Sequence, residues 1–374
     1  MHHENPEVVE VPGGIVPMPE APEKAIGVFD RDIRLVEGSL DADRHLVRGH
    51  WNPDAAALRT LRHDRRTAYY LGVSEGQYGH FLLETLSRAW AWNSEAHDLL
   101  PVIQPGVPAF ARGLYDLIPG LLERIAPLQQ SVQFGRVIVS RAAFVIGRRA
   151  HLAFKTMCMQ MAERAIGTRR RVTEQPLYIS RTHLNPASRH GLLGEVRLER
   201  FLESQGFAIA HPQELPIAEQ IALFNGHKWI VAPMGSACHT RLFALGATNL
   251  VMLAGPGFLR NFVLCDALSE GTTHYLNVLS IPDLGVGFGQ NFWEPFMLDE
   301  GRLLATLKDL GLVNPGATLD GPAPSLDEYK IKWMEIARRQ AARKPELADK
   351  LLRAANALGA SMGEARAGAE RDPS

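Results

Sequence analysis

Residues 178–253 read YISRTHLNPASRHGLLGEVRLERFLESQGFAIAHPQELPIAEQIALFNGHKWIVAPMGSACHTRLFALGATNLVML, and their alternation decides the fold. Leu177–Ser180 is a short apolar strand that runs into Arg181. Glu195–Gln205 has helical periodicity and stops at Gly206, a usual residue just past a helix end. Phe207–Ala210 reads as a strand, and Pro216–Asn225 as a helix with proline in its first turn and Gly226 beyond it. Trp229–Val231 is a buried strand. Gly235–Leu245 reads as a helix stopped by Gly246, and Asn249–Leu253 as a strand before Gly255-Pro256-Gly257. This succession predicts a doubly wound parallel sheet. Ligands of such sheets sit at strand carboxyl ends and helix starts. Arg181 and the turn Pro233-Met234-Gly235-Ser236 fall at those places.

Working outward, residues 1–66 are rich in Pro, Gly and charge, and predict short strands and turns, with Val28-Phe29 and Leu46-Val47 as strand pieces. Ala68–Val73 is a clearer strand. From His80 the chain reads as a helix, with Leu83, Leu86 and Trp90 at helical spacing. Val102-Ile103 and Val137–Val139 predict strands, and 110–125 and 152–166 helices, so a second βαβ unit precedes the first. Arg169-Arg170-Arg171 and Pro176 read as an exposed linker. Residues 281–300 read as a connecting loop. The tail predicts a helix at 325–343 and another from Pro345 to about 358, with a fraying end. The expected parts are an N-terminal strand and loop region at 1–66, an α/β lobe at 67–172, a Rossmann-like lobe at 173–285, and a connecting loop with C-terminal helices at 286–374.

The 374 residues suit two domains. Lys and Arg number 40 against 41 Asp and Glu, so no basic excess points to nucleic acid. The three cysteines, Cys158, Cys238 and Cys265, fit neither a disulfide framework nor a zinc site, and predict a reducing compartment. Met1–Pro6 lacks the apolar stretch of a secretory signal. No apolar run approaches the ~20 residues that span a bilayer. A cytoplasmic protein is expected.

Three constellations could carry chemistry. Arg181 and Arg189, with His183 and His190 nearby, could neutralise a diphosphate without metal, since guanidinium matches phosphate geometry; the alternative is surface pairing with Glu195 or Glu199. At the glycine turn, Gly235 allows close backbone approach, the following helix start offers N–H groups, and Ser236 adds a hydroxyl; the alternative is an ordinary junction with Ser236 as N-cap. Cys238 and His239 lie one turn further on, and Cys238 reads as a small buried residue. His80, Glu84 and Arg88 share one helix face. If that face lines a cleft, His80 or Glu84 could take a proton from a hydroxyl; otherwise it is a solvated face with a Glu84–Arg88 pair. Asp30-Arg31-Asp32 and Asp41-Ala42-Asp43 have a cation-holding spacing but not the setting after a strand, so no metal site is expected. Gly285–Gly289 lacks the strand–turn–helix setting of a dinucleotide fingerprint. Lys332, Arg338, Arg339, Arg343 and Lys344 make the first tail helix basic. That helix could touch an anionic membrane, but with Trp333 and Ile336 it reads rather as a helix packed across the two lobes.

Taken in order, these pieces resemble family 61 glycosyltransferases, which include bacterial capsular-polysaccharide biosynthesis proteins. The matching residues are Tyr78-Gly79-His80-Phe81-Leu82-Leu83-Glu84-Thr85-Leu86 with Arg88, then Tyr178–Arg181, Arg189, Gly206-Phe207, Glu214-Leu215, Glu219-Gln220, Phe224, Ile230-Val231, Gly235-Ser236-Ala237 and Leu242-Phe243. The resemblance implies an α/β, GT-B-like fold of two Rossmann-like lobes with a C-terminal helical tail. It also implies inverting, metal-independent transfer from a nucleotide-sugar donor to a glycan acceptor. Arg181, Arg189, Gly235, Ser236, Ala237 and His239 would hold the donor, while His80 and Glu84 would line the acceptor side. His183, Glu214, Gln220 and Met234 are secondary candidates. No cofactor and no nucleic acid are implied, and peripheral association with a membrane's inner face or a glycan-assembly complex is compatible. Two departures stand out. Met234 occupies a place where the family usually has histidine, and Thr240 one where asparagine is common. The chain would then use a different donor, compensate through His183 or His239, or be weakened to a binding or assembly subunit. A two-lobe nucleotide-sugar epimerase is the further alternative; it would form product without an acceptor.

Overall fold

A computed structural model describes residues 3–18, 27–40, 58, 61–74, 76–104, 106–167, 171–184, 191–257, 260–285, 295–343 and 345–369. The first sheet contains β1 (Val8–Pro12), β2 (Ile15–Val16), β3 (Arg62–Val73), β4 (Leu99–Gln104), β5 (Ala126–Pro127) and β6 (Val132–Ser140). Its order is β1-β6-β3-β4-β5, with β2 also on β6. β3, β4, β5 and β6 pair in parallel, while β1 and β2 are antiparallel to β6. The N-terminal residues therefore extend this sheet. The expected boundary at 66/67 falls inside β3, whose first half is charged and mostly exposed while Ala68–Leu71 is buried. Ladder pairing uses backbone groups alone, so a charged run can continue a strand. Val28-Phe29 makes only isolated bridges, from Phe29 to Ile15 and Leu35. Leu46-Val47 and Asp41-Ala42-Asp43 lie outside the described residues.

Two short paired strands follow, β7 (Phe144–Val145) and β8 (Arg149–Ala150). The second sheet contains β9 (Leu177–Ile179), β10 (Ala208–Ala210), β11 (Trp229–Pro233), β12 (Asn249–Ala254) and β13 (Thr273–Asn277), in the order β10-β9-β11-β12-β13. Every pairing is parallel. The doubly wound expectation holds, and β13 adds an edge strand whose mostly polar sequence, with Leu276 alone buried, carries no apolar run. Within the expected loop at 281–300, β15 (Met297–Leu298) pairs with β14 (Leu279–Ser280), and 286–294 lie outside the described residues.

Helices α1 (Ala109–Asp116) and α2 (Leu152–Ile166) belong to the first half, and α3 (Glu195–Ser204), α4 (Ile217–Gly226) and α5 (Arg260–Ala267) to the second. One apolar core joins the halves: Phe154, Cys158 and Met161 of α2 share a cluster with Ile221, Leu242, Phe243 and Cys265. Lys155 is buried among them, and its Nζ donates to the carbonyls of Leu242 (2.9 Å) and Ala244 (2.6 Å). Burial lowers its pKa from the usual lysine value, but the two carbonyls lie at a helix end where a cation is favoured.

After α6 (Glu300–Asp309), the tail forms α7 (Leu326–Arg343) and α8 (Pro345–Ala369). The second tail helix runs past the expected end near 358. Tyr329, Trp333 and Ile336 pack with Leu351, Ala355 and Leu358, and the cluster reaches Leu193, Leu284 and Met297 of the second half. Trp333 and Ile336 are thus core residues, and the cluster adds residues of the second half rather than bridging both. Among the described residues, no helix is long and apolar enough to cross a membrane.

Lys155→Met leaves two buried carbonyls unpaired. It is expected to lower the unfolding free energy by about 2–4 kcal/mol, read from urea denaturation. A midpoint equal to wild type would show that this cap carries no weight.

Candidate active site

The second sheet reverses its winding between β9 and β11, which is where ligands of open α/β sheets bind. Ser180 continues the β9 ladder, its N–H donating to Ala210 O at 2.8 Å, and Arg181 then leaves the sheet edge. Two anchors hold it. Its backbone N–H donates to Glu195 Oε1 (2.9 Å), which also accepts from Tyr178 Oη (3.0 Å). Its guanidinium Nη1 donates to Met234 O (3.2 Å). A Cβ at Gly235 would lie 3.5 Å from that guanidinium, at ordinary contact distance, so the turn packs directly beside it. Burial lowers the pKa of Arg181 from the usual arginine value and Glu195 opposes the shift; the guanidinium stays cationic at any physiological pH. The expected surface pairing is replaced by backbone capture through Glu195, while Glu199 accepts from the Thr182 hydroxyl (2.7 Å).

Beyond Gly235 the chain forms a 3₁₀ helix, Ser236–Phe243, in place of the expected α-helix, and the N-cap position falls to Gly235 rather than Ser236. Its hydroxyl faces the first half instead. A Cβ on Gly79 would come within 2.8 Å of Ser236 Oγ and 3.3 Å of the His239 ring. Three residues per turn keeps the helix narrow, and its buried polar side chains bond across to neighbouring elements, Arg241 Nε alone among them lacking a partner. Thr240 Oγ1 meets Tyr78 Oη (2.9 Å) across the halves. Arg241 donates to Asp266 Oδ1 (2.9 Å), to the Thr273 hydroxyl and to Glu270 O (3.1 Å). His239 stacks on Phe262 at 4.8 Å, with Nδ1 3.6 Å from Cys265 Sγ. Burial pushes its pKa down to about 3. His239 is therefore a neutral interface residue rather than a group presented at the sheet edge. Cys238 is buried and burial pushes its thiol up to about 12, in line with the small-residue reading.

In the first half, Tyr78–His80 is an α turn, Phe81–Thr85 a π segment and Leu86–Ala91 a 3₁₀ helix. His80 Nδ1 lies 3.1 Å from Glu84 Oε2. The His80 side chain is 40% exposed and that of Glu84 only 9%. A carboxylate can only accept, so a neutral His80 in this pair would carry its hydrogen on Nδ1 and turn the Nε2 lone pair outward. A buried carboxylate orienting an accessible imidazole is a general-base arrangement. Arg88 is also buried, donating to Gly38 O (2.7 Å) and Ser140 O (3.0 Å), with Gly72 in left-handed conformation against it (φ 93°). The polar line expected as a solvated face or cleft wall is thus mostly interior, with His80 at its accessible end. The first sheet's own switch point, between β3 and β6, is filled by Arg88 and Gly38.

The remaining candidates are placed as follows. His183 Nδ1 bonds Glu214 Oε1 (2.9 Å), and its ring stacks on His211. Gln220 ties the first turn of α4 to the preceding loop by donating to Leu215 O (2.9 Å). Met234 contributes its carbonyl, and its side chain packs with Ala237 beside the β9–β11–β12 cluster. Arg189 and His190 lie outside the described residues. Asp30 uses Oδ1 to hold the N–H groups of Asp32 and Arg34 (2.9 Å each), closing a turn. Among the described residues, no cluster of three or more His, Cys, Asp or Glu is placed to hold a metal. Sequence reading missed the Tyr178–Glu195 support; its only signal was a tyrosine inside a buried strand, whose hydroxyl requires a partner.

Burial raises Glu195 to about 7 against an ordinary value of 4.5, opposed by its bonds from Arg181 and Tyr178. The folded chain therefore holds this proton more tightly than the unfolded chain. Its stabilising contribution is complete below 4.5 and is lost as pH rises through 7. Over that interval wild type should lose about 1–3 kcal/mol relative to Glu195→Gln, measured by urea unfolding at pH 5 and pH 8. Parallel pH profiles for the two proteins would refute the assignment.

Residues 78–251 match the family model described as Glycosyltransferase 61. No curated protein matches the chain. The matched span opens at Tyr78, one residue before the Gly79–Ser236 contact, and closes within β12, so it contains His80, Glu84, Arg181 and the Gly235 turn. The match covers just under half of the chain: the region that holds the site is similar to the glycosyltransferase 61 family, which supports a glycosyltransferase activity.

Proposed function

We propose that the chain is an inverting, metal-independent glycosyltransferase of GT-B type. The donor is a nucleotide sugar at the β9/β11 switch point, and the acceptor is a glycan hydroxyl on the side of His80. The observation that carries this reading is the contact of Gly79 with Ser236. It sets an oriented imidazole beside a glycine turn crossed by a guanidinium. The filled first switch point favours the second half as the donor side.

In the proposed step, His80 Nε2 takes the proton of the acceptor hydroxyl while Glu84 steadies the imidazolium. The hydroxyl oxygen bonds to the anomeric carbon from the face opposite the leaving group, and the bond to the diphosphate oxygen breaks. Arg181 stabilises the negative charge that develops there, an electrostatic contribution made by a pre-oriented group. Arg189 joins it in this reading. A role in surface or capsular polysaccharide, made in the cytoplasm or at the membrane's inner face, rests on the family resemblance.

The test is nucleoside diphosphate release and glycan extension with a panel of nucleotide sugars and oligosaccharide acceptors. His80→Ala is expected to lower kcat by about 10²–10⁴-fold with donor affinity kept. Arg181→Ala is expected to weaken donor binding by about tenfold or more. Wild-type turnover by His80→Ala would remove the base assignment, and product formed without acceptor would favour an epimerase.

A further inference from the structure

We propose that the stacked imidazoles of His183 and His211 form the nucleoside end of the donor site, with the nucleobase on the open face of His183 and a ribose hydroxyl on Glu214. This rests on the reading that Arg181 holds the diphosphate. The strand order then sets direction. Arg181 ends β9, Ser236 follows β11 on one side, and His211 follows β10 on the other. The sugar must point toward Ser236, Gly79 and His80, where the accessible imidazole lies. The nucleoside must therefore run the opposite way, over the end of β10.

What lies there has the chemistry of a nucleoside cradle. The two rings are 3.7 Å apart and 7° from parallel. Glu214 fixes the outer ring through His183 Nδ1 (2.9 Å), yet the His183 side chain is 50% exposed. His211 covers one face, so that exposure belongs to the other face and the ring edge. Pinned aromatic rings are stacking platforms for bases. Glu214 comes four residues after the end of β10. In doubly wound folds, an acidic residue beyond the strand that follows the phosphate-binding unit holds the ribose. The Glu214 side chain is 56% exposed, and Glu199 lies 3.9 Å from His211 Nε2. Two carboxylates suit a neutral, hydroxyl-bearing nucleoside and would repel phosphate, while the cation sits at β9.

The test is isothermal titration of the full chain with UDP, GDP, ADP, CDP and inorganic pyrophosphate. His183→Ala is expected to weaken the best nucleoside diphosphate by about fivefold or more and leave pyrophosphate unchanged. His183→Phe, which keeps a ring, should stay within about twofold of wild type by the same logic. Wild-type nucleoside diphosphate affinity in His183→Ala, or an equal loss for pyrophosphate, would overturn the subsite. Arg181→Ala should weaken both ligands. If it weakens neither, the diphosphate reading fails, and the contrast between His183→Ala and His183→Phe still decides the nucleoside platform.

Discussion

The absence of a side chain at Gly79 is the constraint on which the rest depends. A Cβ there would meet Ser236 Oγ at 2.8 Å and Ser236 Cβ at 3.1 Å, and serine is too short to swing away. With glycine, the first turn of the Tyr78 helix and the start of the Ser236–Phe243 helix touch directly. Tyr78 and Thr240 then reach each other at 2.9 Å. At its far end the same eight-residue helix is held by Lys155 through the carbonyls of Leu242 and Ala244. The helix that begins at the glycine turn is thus secured at both ends by the other half of the molecule. That fixes His80 relative to Arg181 before any ligand arrives, the pre-organisation an enzyme needs when it aligns two reactants.

The two sheets share a winding pattern but treat their switch points differently, and arginine is used both ways. In the first sheet Arg88 is 2% exposed and bonds the carbonyls of Gly38 and Ser140, so the N-terminal extension and a guanidinium together close the crevice. In the second, Arg181 lies across the glycine turn and bonds the Met234 carbonyl there. Division of labour between the halves follows from local packing.

What was legible in the sequence follows the same physics. Parallel strands buried on both faces read as apolar runs, so β9, β11 and β12 were clear. The edge strand β13 and the charged half of β3 were hidden, because their pairing is a property of the backbone and of neighbours far along the chain. The helix from His80 was recognisable, but Phe81–Ala89 is buried without interruption, so its pattern carries no angular information to distinguish α from π or 3₁₀ winding. The burial of Glu84 and Arg88 was likewise invisible, since Gly38 and Ser140 lie about fifty residues away on either side. His183 and His211 meet only because β9 and β10 pair in register.

Met234 illustrates how a departure from a family pattern can be absorbed. What Arg181 takes from this position is a carbonyl oxygen at 3.2 Å, which any residue supplies, and the residue's N–H is bonded to Leu253 O at 2.9 Å. The backbone of the turn is therefore indifferent to the side chain. If a histidine here normally serves the donor as a cation, His239 cannot replace it. Burial pushes its pKa down to about 3, so charging it at neutral pH would cost about 5–6 kcal/mol. His80, beside the Gly79 contact, and His183, two residues beyond Arg181, both keep solvent access. In the proposed site Met234 leaves the turn without an imidazole of its own, and the proposed sugar side and nucleoside side each carry one, His80 and His183.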